Sequence, residues 1–127
     1  MEDSKMNEPC DAVILFGHGS RDPFWRLPIE AVATRAALSN PARPVRCAYL
    51  ELTTPDLPTV ATTLIAGGAI FIRVIPMFLG KGRHAREDLP ALMDALQLAH
   101  PTVHFDLRPS VGEDDRVLAL LTQMAVE

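Results

Sequence analysis

At 127 residues, 48% of them hydrophobic and 22% charged, the chain is long enough to close a single core and too apolar for disorder. A net charge of −4 gives the whole molecule no field for nucleic acid or an acidic membrane. Its apolar runs are far shorter than a bilayer span, and the opening Met1-Glu2-Asp3-Ser4-Lys5 lacks the apolar core of a signal peptide, which predicts a cytoplasmic protein.

Residues 1–9 are polar, end at Pro9 and read as a flexible lead-in to one domain. A first strand follows over about Asp11–Phe16, because five consecutive apolar residues, Ala12 to Phe16, suit a strand covered on both faces. The sequence then turns abruptly to Gly17-His18-Gly19-Ser20-Arg21, which leaves a histidine between two residues with no side chain to shield it. With Pro23 and Pro28 nearby, a helix is expected to become regular only from about Ile29, carried by Ile29, Val32, Ala33 and Ala36 and stopped at Asn40-Pro41. Val45–Leu50 reads as a second strand ending at Glu51. A helix capped by Thr54 and opened by Pro55 should follow, with Leu57, Val60, Ala61, Leu64 and Ile65 inward and Gly67-Gly68 as its stop.

Ala69–Ile75 is the third expected strand, and Arg73 its single charge, which must reach an edge or cleft unless the strand is less covered than its neighbours. A helix over about Ala85–Ala99 buries Leu89, Leu92, Met93 and Leu96, and Pro90 fits if regular geometry begins only near Leu89. Val103–Leu107 alternates as an edge strand. Glu113-Asp114-Asp115 suits the positive end of a last helix packed through Val117, Leu118, Leu121 and Met124. Strand and helix thus repeat four times. Right-handed crossovers make this an α/β fold: a small four-stranded parallel sheet with helices on both faces, three layers in all. Cys10 and Cys47, the only cysteines, read as reduced packing residues.

Parallel sheets place ligands at the carboxyl ends of their strands. Three strand ends deliver polar groups to one rim: His18, Ser20 and Arg21 after the first, Glu51 after the second, and Lys81, Arg83, His84 and Arg86 after the third. Two imidazoles and a carboxylate suit cobalt, nickel, iron or zinc, and an incomplete shell leaves room for a substrate. Each residue also has a plainer use: His18 as a loop hydrogen-bonding group, His84 as an anion contact and Glu51 as a solvated turn residue. His100 reads as a helix terminus and His104 as a surface strand position. Arg21, Arg73, Lys81, Arg83 and Arg86 can form a cationic rim for an anion with several carboxylates or phosphates, and Phe24, Trp25, Met77, Phe78 and Leu79 add apolar surface nearby.

Gly17-His18-Gly19-Ser20-Arg21, Leu50-Glu51-Leu52, Pro55-Asp56-Leu57, Ile75-Pro76-Met77-Phe78-Leu79, Gly82-Arg83-His84 and Asp88-Leu89-Pro90 occur in an order that resembles the short-form sirohydrochlorin chelatases, the small CbiX-like class II enzymes, from about Asp11 to Leu121. The resemblance implies a chelatase-like fold and a lyase that inserts cobalt foremost, otherwise nickel or ferrous iron, into sirohydrochlorin or a related tetrapyrrole without nucleotide hydrolysis, on routes to cobalamin or sirohaem. It implies His18 and His84 as metal ligands and catalytic groups, with Glu51 assisting. Ser20, Arg21, Lys81 and Arg83 are candidate substrate contacts. It implies no tightly bound cofactor, the divalent ion being substrate, and a homodimer, because longer relatives join two such halves and this sequence stops at Glu127. A non-enzymatic metal carrier and a histidine-dependent phosphohydrolase or mutase are the alternatives.

Overall fold

The computed structural model describes residues 10–127, so the expected lead-in over residues 1–9 lies outside it. Strands β1 (Ala12–Gly17), β2 (Val45–Tyr49), β3 (Phe71–Pro76) and β4 (His104–Leu107) alternate with helices α1 (Leu27–Ser39), α2 (Leu57–Ala66), α3 (Arg83–Ala99) and α4 (Asp115–Val126). A short 3-10 turn over Val111–Glu113 precedes α4. The strands form one parallel sheet in the order β2-β1-β3-β4, as the expected architecture requires. From β1 the chain moves outward to β2 and then returns to β3 on the opposite side. The order therefore reverses between β1 and β3, and open α/β sheets bind ligands in the crevice at such a reversal.

Why β1 is wholly apolar follows from this central place. Ala12, Ile14 and Phe16 point into a layer filled by Leu57, Val60, Ala61 and Leu64 of α2 and Leu89, Met93 and Leu96 of α3. Val13 and Leu15 point the other way, into a smaller cluster with Ile29 of α1, Cys10 and Tyr49, against which Cys47, Phe71, Ile75 and Met77 pack. Both free cysteines thus belong to the α1 layer.

Several local expectations change. α1 begins at Leu27 and takes Pro28 into its first turn, where the missing amide has no intrahelical partner to lose. Asp56, not Thr54, caps α2: its carboxylate accepts the Thr59 amide at 2.9 Å, and Pro58 rather than Pro55 occupies the first turn. α3 starts at Arg83 and continues through Pro90. Pro90 lies on the exposed side, where water can serve the carbonyl left without an amide, while buried Ala85, Leu89, Met93 and Leu96 hold the helix to the sheet. For Arg73 the second of the two expectations holds: it reaches no cleft, and β3 is less covered than β1, with Phe71, Arg73 and Ile75 only half-buried. Arg73 Nε donates to Asp106 Oδ2 at 2.7 Å across β3 and β4, and its guanidinium lies 5.7 Å from the centre of the Phe71 ring. The stripe expected to pack α4 is not buried: Leu118, Leu121 and Met124 are all exposed, because α4 springs from the 3-10 turn and buries none of its residues. Asp114 caps it, its carboxyl held down at about 2 by hydrogen bonds from the Arg116 side chain and amide.

Tyr49 ends β2 beneath Trp25, with ring centres 6.0 Å apart. Its hydroxyl is buried beside the Cys47 thiol, a weak hydrogen-bonding neighbour, and burial pushes its pKa up to about 12. The folded state therefore keeps the phenol neutral, and the stability this supplies is present below pH ~10, where the unfolded phenol starts to ionise, and is lost as pH rises towards 12. Tyr49 is the only tyrosine, so absorbance of the phenolate against pH should give a midpoint near 12 in the folded chain and near ~10 after denaturation. Tyr49→Phe should leave the melting temperature unchanged or raise it, since it removes a buried hydroxyl whose neighbour is only the weakly bonding Cys47 thiol.

Candidate metal centre

The loops after β1, β2 and β3 are joined by backbone hydrogen bonds that prolong the sheet. Leu50 N donates to Gly17 O at 2.9 Å and Glu51 N to His18 O at 3.1 Å, while Met77 N donates to Phe16 O at 2.8 Å on the other side. Beneath them Phe16 and Phe78 meet edge to face at 6.1 Å. Gly19 has φ +101°, and a Cβ there would stand 1.6 Å from the Glu51 carbonyl oxygen, so glycine is needed both for its backbone angle and for the contact. Gly17 is similarly crowded, by Ile29 and Trp25.

This loop framework brings the three proposed ligands together. His18 Nε2 lies 3.3 Å from Glu51 Oε1, and His84 Nδ1 lies 3.9 Å from the same oxygen. One ligand atom from each residue falls within 4.8 Å of the other two. The side chains are 40%, 43% and 70% exposed for His18, Glu51 and His84, so the cluster faces solvent on one side. His18 Nδ1 is 3.3 Å from Gly19 O; with the proton on Nδ1, that contact leaves the Nε2 lone pair directed at the cluster. Three electron-pair donors then face one another, an arrangement that a cation relieves.

The spacing suits a first-row divalent ion. Donors ~2.0–2.2 Å from a tetrahedral ion lie roughly 3.4 Å apart, close to the His18–Glu51 distance, whereas His84 stands slightly too far out. Two ligands are therefore already at coordination spacing, and the third would have to approach for all three to bind one ion. Imidazole nitrogens with one carboxylate oxygen suit cobalt, nickel, iron or zinc better than magnesium or calcium.

The other candidate residues divide. Ser20 uses its hydroxyl within the loop, accepting the Asp22 amide at 3.0 Å. Arg21, Lys81 and Arg86 are exposed beside the crevice loops, but Arg83 Nε donates to Glu87 Oε1 one turn along α3 at 3.0 Å. Arg73 is absent from the rim, being held in the sheet by Asp106. Of the apolar set, Phe24 and Leu79 are 75% and 69% exposed, Trp25 leans on Tyr49, Met77 is half-buried, and Phe78 belongs to the core. His100 caps α3 and His104 stands on the edge strand against Phe71, away from the cluster.

Two residues that sequence reasoning passes over shape the site. Thr53 binds the backbone of Ser20, and Gly112 N donates to Phe78 O at 2.9 Å, close enough that a Cβ there would stand 1.8 Å from Leu79 O and displace the loop leading to His84. Neither has a local sequence signal, because each acts across a tertiary contact. Gly19→Ala should weaken Co(II) binding about 10- to 100-fold, measured by visible absorption titration, since the Glu51 carbonyl has to move to admit the methyl group.

The CbiX family profile matches residues 12–127. The sirohydrochlorin cobaltochelatase of Methanococcus aeolicus is 31% identical over 87 residues, covering 68% of this chain and 61% of its own. The chain thus spans about three-fifths of the length of that curated relative. Among solved structures, a putative cobalamin biosynthesis CbiX protein from Marinobacter aquaeolei VT8 superposes with a TM-score of 0.76 at 33% identity, covering 91% of this chain and 92% of that one. SirB from Bacillus subtilis with Fe3+ gives a TM-score of 0.70 at 26% identity, covering 88% of this chain and 44% of that one. With the parallel sheet, the converging histidines and a profile match across the described fold, the chain belongs to the CbiX family.

Proposed function

We propose that this chain is a chelatase that inserts a divalent ion into sirohydrochlorin or a related tetrapyrrole without nucleotide hydrolysis, with cobalt foremost and nickel or ferrous iron as the other candidates. The observation that carries this reading is the convergence of His18, Glu51 and His84 on one open point at the sheet's reversal. The reaction exchanges M(II) and a macrocycle with two pyrrole N–H groups for the metallated macrocycle and two protons. A protein accelerates it by holding a partly desolvated ion on one face of the ring and by accepting the protons on the same side.

His18 and His84 are the proposed ligands. As the ion passes to the ring nitrogens each imidazole regains a lone pair, so the group that releases the metal can then take a proton. Glu51, shared between both histidines, offsets the charge of the ion and of the imidazolium that follows. The macrocycle's many carboxylates match Arg21, Lys81 and Arg86, and Arg86 and Arg83 sit in the first turn of α3, where basic residues oppose the helix dipole and an anion relieves them. Ser20 and Arg83 are less available, their polar groups being engaged locally. Phe24 and Leu79 offer apolar contact to the ring. A phosphoryl-transfer reading fits less well, because the carboxylate 3.3 Å from His18 attracts a cation and repels a phosphate.

The proposed assembly is a homodimer. This chain matches less than half of SirB, and a second copy would supply the wall that the rest of that longer chain can supply. The proposed location is cytoplasmic; among the described residues no helix is long and apolar enough to cross a membrane.

Anaerobic absorbance assays of sirohydrochlorin with Co(II), Ni(II) or Fe(II) test the reading. The parent chain should accelerate metallation, and His18→Ala or His84→Ala should reduce the rate at least ~100-fold while the melting temperature holds, as His84 is exposed, His18 is partly exposed and both lie outside the core clusters. No acceleration with any ion would favour a metal carrier instead. Full activity in either variant would remove that histidine from the ligand set.

A further inference from the structure

We propose that Thr53 is a positioning residue that holds His18 and Glu51 at coordination spacing. The inference deepens the chelatase reading and rests on its ligand assignment. Thr53 Oγ accepts the Ser20 amide at 2.9 Å and donates to the Ser20 carbonyl at 2.7 Å, so a single hydroxyl satisfies both backbone groups of one residue. Ser20 lies two residues beyond His18, and Thr53 lies two residues beyond Glu51. The hydroxyl therefore ties the two ligand loops together beyond the end of their sheet-like bonds, which join Gly17 to Leu50 and His18 to Glu51.

The backbone between Glu51 and Thr53 is bent to present that hydroxyl. Leu52 has φ +64°, and Thr53 N donates to Glu51 O at 2.7 Å, a γ-turn of the rarer and strained hand. A non-glycine residue persists in this conformation only when its surroundings over-determine it. Here the constraints on either side are identifiable: Gly19 packs on the Glu51 carbonyl, Glu51 N donates to His18 O, and Thr53 closes the far end. His84 has no share in this knot and approaches from the first turn of α3. The ligand set consequently divides into a fixed pair, His18 and Glu51, and a separately carried third member that completes the shell.

The test compares Thr53→Val, which keeps the shape and removes the hydroxyl, with Thr53→Ser, which keeps the hydroxyl. Co(II) alone is titrated by visible absorption, and chelation kinetics are then measured with sirohydrochlorin. The valine variant should bind Co(II) about 10-fold more weakly and lose kcat with KM for the tetrapyrrole unchanged, while the serine variant stays close to the parent. Parent-like Co(II) binding by the valine variant would overturn the inference, as would serine failing as badly as valine. Thr53→Ala removes the hydroxyl with less bulk and replaces valine if that variant does not fold. Amide exchange at Ser20 reads the bridge without metal: protection should fall with valine and persist with serine, and unchanged protection with valine would contradict it. A parent that binds Co(II) through this pair yet does not accelerate chelation would sink the proposed function and leave the role of Thr53 standing.

Discussion

Two amides reach the last residues of the central strand from opposite sides: Leu50 N donates to Gly17 O at 2.9 Å, and Met77 N donates to Phe16 O at 2.8 Å. These bonds carry the parallel pairing past the ends of the strands, so the three loops that hold polar residues leave the sheet as one surface. In a twisted parallel sheet adjacent loops ordinarily diverge after the final ladder bond, because each turns towards its own helix. Here they remain parallel for one or two residues more, far enough to deliver His18 beside Glu51 and the β3 loop beside both. The exclusion of side chains at Gly17 and Gly19 is part of the same constraint, since a Cβ at either position would enter a neighbouring element.

The electrostatics of the resulting cluster follow from its membership. One carboxylate oxygen faces two imidazole nitrogens, and the crevice is open to water. Such a set is stable enough without an ion because solvent screens it, and it gains strongly when a divalent cation replaces that water. A resident structural metal would sit in a closed, buried shell, whereas ions that must leave need exposed and incompletely satisfied ligands. The 70% exposure of His84 and its longer distance from Glu51 fit delivery of an ion better than storage. Cationic and apolar side chains around the same opening suit a flat ligand with anionic edges, a pairing that neither charge nor hydropathy alone suggests.

Much of this was legible in the sequence. The uninterrupted apolar run of β1, the amphipathic stripes of α2 and α3 and the polar switch after each strand were sufficient for the parallel sheet and for His18, Glu51 and His84 as its rim residues. Boundaries shifted where two local signals competed: Thr54-Pro55 and Asp56 both look like a helix start, and the carboxylate prevails by accepting the Thr59 amide. Arg73 looked available for a cleft because its partner, Asp106, lies on a different strand and 33 residues away. Thr53 was invisible for the same reason, its role depending on a backbone that only folding brings near. The apolar stripe of α4 is plain in sequence, but amphipathicity says only that a helix has an apolar side, not that its own chain will cover it.

The central claim is that His18, Glu51 and His84 bind one divalent ion together. Anomalous scattering at the cobalt edge from crystals soaked in Co(II) tests it most directly. The account predicts a single strong peak within ~2.0–2.2 Å of His18 Nε2 and of ligand atoms from Glu51 and His84, with solvent on the open side. A peak elsewhere with this crevice empty, or an ion held by only one of the three residues, would contradict it.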